Sequence, residues 1–141
     1  GEGEYITPGH SRKVVVFRGV RIMLQVCYDL RFPVFVRNRD DYDMIIYVAS
    51  WPIARKIAWN TLIRARAIEN QCYVAAVNRV GVDQFGVYSG DSVLISPYGE
   101  NVVVAEESKV DMVSAELDMD KLNHFREKFP VLDDADTYMY M

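Results

Sequence analysis

The chain reads as an α/β domain built on a layered, mixed sheet, and three observations predict it. Met44-Ile45-Ile46-Tyr47-Val48 is a continuous apolar run of strand length, the pattern of a strand covered on both faces. From Ala54 to Asn70 the residues Ala54, Ala58, Leu62, Ala65 and Ile68 recur at three and four positions, giving one apolar stripe on a helix. Tyr73 to Val77 returns to a buried strand, so strand, helix and strand follow one another in the order that builds a parallel sheet with crossover helices.

The remaining elements follow in order. Lys13 to Phe17 and Val20 to Val26 are rich in β-branched residues and flank Arg18-Gly19, which predicts a hairpin with a tight turn. Pro33 suits the first turn of a short helix reaching Asn38. Ala49-Ser50-Trp51-Pro52 is a loop, Asn78 to Ser89 is a glycine-containing loop, and Ser92 to Ile95 begins a further strand. Pro97-Tyr98-Gly99 is a turn by composition, and Asn101 to Ala105 and Met112 to Leu117 complete the strands, so that the last third leans antiparallel. Asp118 is placed to cap a helix from Met119 to about Phe129, and 130–141 reads as a tail, as 1–12 reads as a leading loop. One long helix and two shorter ones are too few to cover both faces of such a sheet. A second sheet or a partner is expected to supply the rest.

Half of the 141 residues are hydrophobic, enough for one globular domain with a core. A net charge of -4 argues against a nucleic-acid partner, which would need a basic surface. No apolar run approaches the length of a bilayer span, and Gly1-Glu2-Gly3-Glu4 is unlike a signal peptide. Two cysteines, Cys27 and Cys72, form no disulfide framework and fit a reducing compartment. A soluble, cytoplasmic protein is expected. The two histidines, His10 and His124, stand apart from each other and from both thiols, so neither a metal nor a cofactor is expected.

Chemistry points to Val26-Cys27-Tyr28-Asp29-Leu30-Arg31-Phe32-Pro33, which places a thiol where a strand gives way to a turn. Such an elbow lifts a nucleophile out of the sheet and frees the Tyr28 backbone N–H to hold a developing oxyanion. A helix N-terminus near the sulfur would favour thiolate. Read locally, a cysteine ending a hydrophobic strand is more often a small, inert core residue. Arg31 has two readings as well: a guanidinium that clamps a substrate carboxylate, or one paired with Asp29 or another acid to hold the loop. Trp51 is either a pocket wall or a core aromatic. Arg66 and Glu69, three apart on a helix, are read as a structural pair with Asn70 at the helix end. Cys72 is read as inert packing and His124 as a solvated surface residue.

Three ordered motifs, Cys27-Tyr28-Asp29-x-Arg31-Phe32-Pro33, Arg64-x-Arg66-Ala67-x-Glu69-Asn70 and Gly90-x-Ser92-x-x-Ile95-x-Pro97-x-Gly99, resemble the carbon–nitrogen hydrolase (nitrilase-like) superfamily. Val48-Ala49-Ser50-Trp51-Pro52 and Asn78-Arg79-Val80-Gly81 resemble its amidase branch, which includes the omega-amidases, and Arg126-Glu127-Lys128-Phe129-Pro130 also fits. The resemblance implies that 1–141 is the C-terminal half of an αββα sandwich. It also implies a Glu-Lys-Cys triad in which Cys27 is the nucleophile and Tyr28 N–H an oxyanion donor. The first glutamate and the lysine of that triad would precede Gly1, while Glu4, four residues before Pro8, matches a supporting glutamate. Arg31 and Trp51 then line the substrate site of an enzyme that cleaves small, acidic omega-amides through a thioester and releases ammonia. Nitriles and N-carbamoyl compounds are the alternative substrates. The partners implied are a small amide, a homo-oligomer and the missing N-terminal half; without that half this piece is expected to be inactive. A catalytically dead half-domain serving as an assembly or binding module is the competing reading.

Overall fold

A computed structural model describes residues 2–136. Arg18 and Gly19 both adopt positive φ, 49° and 82°, and turn the chain between β1 (Val14–Phe17) and β2 (Val20–Val26), which pair antiparallel. A residue without a side chain takes the left-handed conformation at little cost, which is what Gly19 contributes. After β2 come the short helix α1 (Pro33–Val36), strand β3 (Met44–Ala49), helix α2 (Lys56–Glu69) and strand β4 (Tyr73–Asn78). A separate hairpin, β5 (Val80–Asp83) with β6 (Gly86–Ser89), precedes β7 (Val93–Ile95) and β8 (Asn101–Val104), and α3 (Met119–Lys128) follows. The main sheet has six strands in the order β1-β2-β3-β4-β7-β8. Its centre, β2, β3 and β4, is parallel, and its flanks are antiparallel. The mixed α/β architecture expected from the sequence is the one observed.

The two faces of the sheet differ. Register aligns Met23 with Ile45 and Val74, and these point into a core closed by α2 through Trp59, Ile63 and Ala67, all essentially inaccessible. On the other face Leu122 of α3 covers Met44 and Tyr73 at the N-terminal ends of the strands. Toward the C-terminal ends that cover stops. Val26, Val48 and Val77 are neighbours in register across β2, β3 and β4, yet they are 60%, 49% and 52% exposed. Among the central strands, the shortage of cover inferred from the helix count thus falls at the C-terminal ends on this face.

An ion network fastens α3 beneath the sheet. Asp43 accepts hydrogen bonds from the backbone N–H and guanidinium of Arg21 at 2.7–3.0 Å and from Arg126 at 3.0 Å. Arg126 also donates to the carbonyls of Tyr42 and Gln71. Asp118 caps α3 as expected, its carboxylate accepting from Lys121 N at 2.8 Å.

Several expectations need correction. The segment from Met112 to Leu117 is not a strand: it runs irregularly, with Met112 93% exposed, and only Leu117 packs, against the Met44 and Tyr73 cluster. Its alternating apolar residues mimic a strand, but it does not join the β8 edge. The expected loop from Asn78 to Ser89 contains the β5–β6 hairpin, and Asn78 itself ends β4. The short helix stops at Val36 rather than Asn38, because Arg37 takes an extended conformation (ψ 123°). The long helix begins as a single 3-10 turn, Ile53–Arg55, before α2 proper. Its buried face is also rotated by about one residue. Trp59, Ile63, Arg66 and Ala67 face inward, whereas Ile68 is half exposed and Ala54 is exposed. The bulk of Trp59 and the anchoring role of Arg66 outweigh a stripe of small alanines. Of the tail, 130–136 starts with a turn in which Asp133 N–H donates to the Pro130 carbonyl; 137–141 lies outside the described residues.

Candidate active site

Three adjacent parallel strands deliver their C-terminal loops to one edge of the sheet, the position where α/β folds place ligands. Cys27 follows β2, Ser50 and Trp51 follow β3, and Asn78 ends β4. Cys27 opens a single 3-10 turn, Cys27–Arg31, and has φ of +42°. A side chain with a Cβ pays for that conformation, and such strain persists where the surroundings hold it in place.

The restraints are visible. The Asp29 carboxylate accepts from Val26 N–H at 2.9 Å, and Phe32 N–H donates to the Asp29 carbonyl at 3.0 Å. Leu30 is fully buried, and its carbonyl accepts from Arg66 Nη2 at 2.6 Å. Arg66, 3% exposed, pairs in turn with Glu69 at 2.9 Å. The structural reading of Arg66 and Glu69 therefore gains a purpose, since they fix the turn that carries the thiol. Asn70 closes the helix end, accepting from Asn38 N–H at 2.9 Å and donating to the Arg66 carbonyl at 3.0 Å. Cys27 itself is partly accessible. The Tyr28 N–H lies in the first turn of the 3-10 segment, where amides lack an intrahelical acceptor.

A cavity of about 190 Å³ opens beside the thiol. The elbow contributes Cys27, Tyr28 and Arg31; the loop after β3 contributes Ser50, Trp51 and Pro52; and Arg55 closes it from the Ile53–Arg55 turn. Trp51 belongs to both the core and the cavity lining. It is 4% exposed, packs on Trp59 with ring centroids 5.6 Å apart, and still forms a wall. The Arg31 guanidinium lies over the Trp51 ring at 4.9 Å, a cation–π contact, and the pairing with Asp29 does not form. Glu4 is exposed at the end of the turn Glu2–Glu4 and is not among the walls of this cavity.

Sequence reasoning missed Asn78 as a clamp. Its side chain accepts from Trp51 N–H at 2.7 Å and donates to the carbonyls of Trp51 and Gly90 at 3.0 and 2.8 Å. Its backbone N–H donates to Ser92 Oγ at 2.9 Å. A buried amide satisfied on three sides fixes the loop that shapes the cavity. Gly90 must be glycine here, because φ is +78° and a Cβ would meet Val80 Cγ1 at 2.8 Å. Arg55 was missed as well; only its place in the loop after a strand that ends beside Cys27 hinted at it.

Cys72 is fully buried, and desolvation pushes its thiol well above the ordinary cysteine range; it serves packing. Ser92 is spent on Asn78, and His124 is exposed. Among the described residues no group of three or more His, Cys, Asp or Glu is arranged to hold a metal, and no helix is long and apolar enough to cross a membrane.

Comparison with known proteins gives a consistent result. Residues 2–127 match the carbon–nitrogen hydrolase family. An omega-amidase of Yersinia enterocolitica is 49% identical over 142 aligned residues, covering 100% of this chain and 56% of its own length. A 2-oxoglutaramate amidase of Bacillus subtilis is 35% identical, covering 96% of this chain and 53% of its own. Among solved structures, a carbon–nitrogen hydrolase superfamily protein of Xanthomonas campestris with an arsenic adduct in its active site superposes with a TM-score of 0.93. It is 44% identical, over 99% of this chain and 56% of that one. The chain thus spans about half the length of the relatives it matches.

Proposed function

The chain belongs to the carbon–nitrogen hydrolase family, and we propose that it carries the nucleophile half of an amidase that hydrolyses small acidic amides. The observation that carries this reading is the strained, partly accessible Cys27 at a pinned elbow, facing a cavity with an arginine whose charge no carboxylate among the described residues neutralises.

In this proposal the Cys27 thiolate attacks the amide carbonyl, and the oxyanion that forms is held by the Tyr28 N–H. Collapse of the tetrahedral adduct breaks the carbon–nitrogen bond, and ammonia leaves with a proton from a general acid. Water, deprotonated by the same group, then cleaves the thioester and returns the thiol and a carboxylate. Arg31, over Trp51, holds the far carboxylate of the substrate. Glu4 is the supporting glutamate. The general base glutamate and the lysine come from polypeptide outside 1–141, which lays its own sheet on the open row Val26, Val48 and Val77. Without them this segment is inactive, since losing one oxyanion donor already costs about a hundredfold to a thousandfold.

Supporting the substrate class are relatives named as omega-amidase and 2-oxoglutaramate amidase. The arsenic adduct of the Xanthomonas protein is the kind of product a soft, reactive thiol gives. The test is Cys27→Ala in the intact protein: hydrolysis of succinamate, followed by ammonia release, should vanish while the thermal midpoint stays near wild type. Turnover that survives the substitution would remove Cys27 from the mechanism.

A further inference from the structure

The same cavity holds a second cation, and here we infer that Arg55 is a specificity-determining residue which, with Arg31, reads the anionic end of the substrate. The inference rests on the amidase reading above and extends it to a residue that the sequence motifs do not mark.

The geometry is set by Trp51. Its ring face carries the Arg31 guanidinium at 4.9 Å, and its Nε1 donates to the Arg55 carbonyl at 2.8 Å. One buried indole therefore carries the Arg31 guanidinium and holds the Arg55 backbone beside the cavity wall that also bears Cys27. The Asn78 clamp holds the Trp51 backbone from behind. The 3-10 turn carrying Arg55 is closed by Arg55 N–H donating to the Pro52 carbonyl at 2.9 Å. The arginine therefore approaches from a fixed backbone.

Charge supplies the second part of the argument. Arg12, Arg21, Arg66, Arg79 and Arg126 are each paired with a carboxylate; of the arginines without one among the described residues, Arg18, Arg37, Arg39 and Arg64 do not line this cavity, and Arg31 and Arg55 do. Neither Arg31 nor Arg55 has a carboxylate partner among the described residues, although Asp29 lies within the same elbow and is turned instead to Val26 N–H. Two uncompensated guanidiniums bordering one small cavity repel each other until an anion enters. Each also offers a planar fork that matches a carboxylate. A compact amide ending in a carboxylate satisfies both, with its amide carbon left at the thiol. A neutral amide of the same length leaves both cations unpaired.

The experiment compares succinamate, the monoamide of a four-carbon diacid, with neutral butyramide in the intact protein and in Arg55→Ala, Arg55→Lys and Arg31→Ala. Arg55→Ala should lower the ratio of kcat/KM for succinamate over butyramide at least tenfold, through KM, and Arg55→Lys should restore part of it. A ratio unchanged in Arg55→Ala, with butyramide turnover still abolished by Cys27→Ala, would overturn the inference and leave the amidase reading standing. A readout free of turnover decides the matter even if neither amide is hydrolysed. Succinate should slow carbamidomethylation of Cys27 by iodoacetamide in the wild type and fail to do so in Arg55→Ala. Equal protection in the two proteins would sink the role of Arg55.

Discussion

At the residue scale, the two thiols of this chain separate by environment. Cys27 opens a turn at the cavity edge, whereas Cys72 begins β4's approach fully buried, its Sγ facing the Arg66 carbonyl at 3.8 Å. Burial disfavours the thiolate of Cys72, and the thiolate is the species that reacts. Iodoacetamide applied to the native protein is therefore expected to modify Cys27 on the order of a hundredfold faster than Cys72. Peptide mass spectrometry of the time course reads this directly. Comparable rates would mean that the core around β4 opens readily or that Cys27 is shielded. The candidate nucleophile was legible in sequence because strand-end thiol, Asp29 and Arg31 stand next to one another in the chain. Asn78 and Arg55 were not, since their roles come from bonds to Trp51 across 27 and 4 residues, and no local pattern records which backbone a side chain will meet.

At the scale of elements, strands were easier to foresee than faces. The runs of β2, β3 and β4 announce themselves by continuous apolar character, and Asp118 announces α3 by its capping chemistry. Which side of α2 is buried was misjudged, because periodicity weighs Ala54, Ala65 and Ile68 as heavily as Trp59, while packing is decided by volume and by the tie from Arg66 to Leu30. The Met112 to Leu117 segment shows the converse: β8 is an edge strand, yet the alternating segment does not pair with it, so alternation alone does not make a strand. The join between α3 and the sheet carries a prediction of its own. Burial would raise the Asp43 carboxyl, but hydrogen bonds from Arg21, then its charge and Arg126, outweigh that and hold it below the usual carboxylate range. A lowered native value means that the group contributes its full stability above about pH 4. That contribution fades as pH falls through the lowered value. Asp43→Asn should cost about 3 kcal/mol at pH 7, because it leaves buried donors and charge unmatched. The gap between mutant and wild type should narrow as pH falls below about 4. Urea denaturation of both proteins across that range measures it, and a gap independent of pH would show that the carboxylate charge is not what α3 leans on.

At the scale of the whole molecule, the open end of the sheet and the candidate site are one feature seen from two sides. Cys27 and Ser50 follow β2 and β3 and Asn78 ends β4, and the last strand residues before those loops on the uncovered face are Val26, Val48 and Val77. Leu24, 43% exposed, extends the patch one layer down, and Val15 of β1, opposite Ile22, borders it. Contiguous apolar surface of this kind, across parallel central strands whose other face is packed by α2, calls for a covering layer. A layer seated there would bring its own residues within reach of the thiol, so cover and catalysis are expected to be supplied together. The polypeptide 1–141 by itself should then associate through the valine row. Sedimentation velocity at tens of micromolar protein, about the range where weak interfaces fill, should show dimers or larger species. Val48→Lys, at a half-exposed position that leaves the α2 core untouched, should return the chain to monomer while its helical circular dichroism is kept. The same substitution in the intact protein should lower stability, because there the ammonium would be forced under the second layer. A wild-type 1–141 that sediments as a clean monomer, or an intact Val48→Lys protein as stable as its parent, would mean that this face is finished as it stands and that the remaining catalytic groups reach Cys27 from somewhere else.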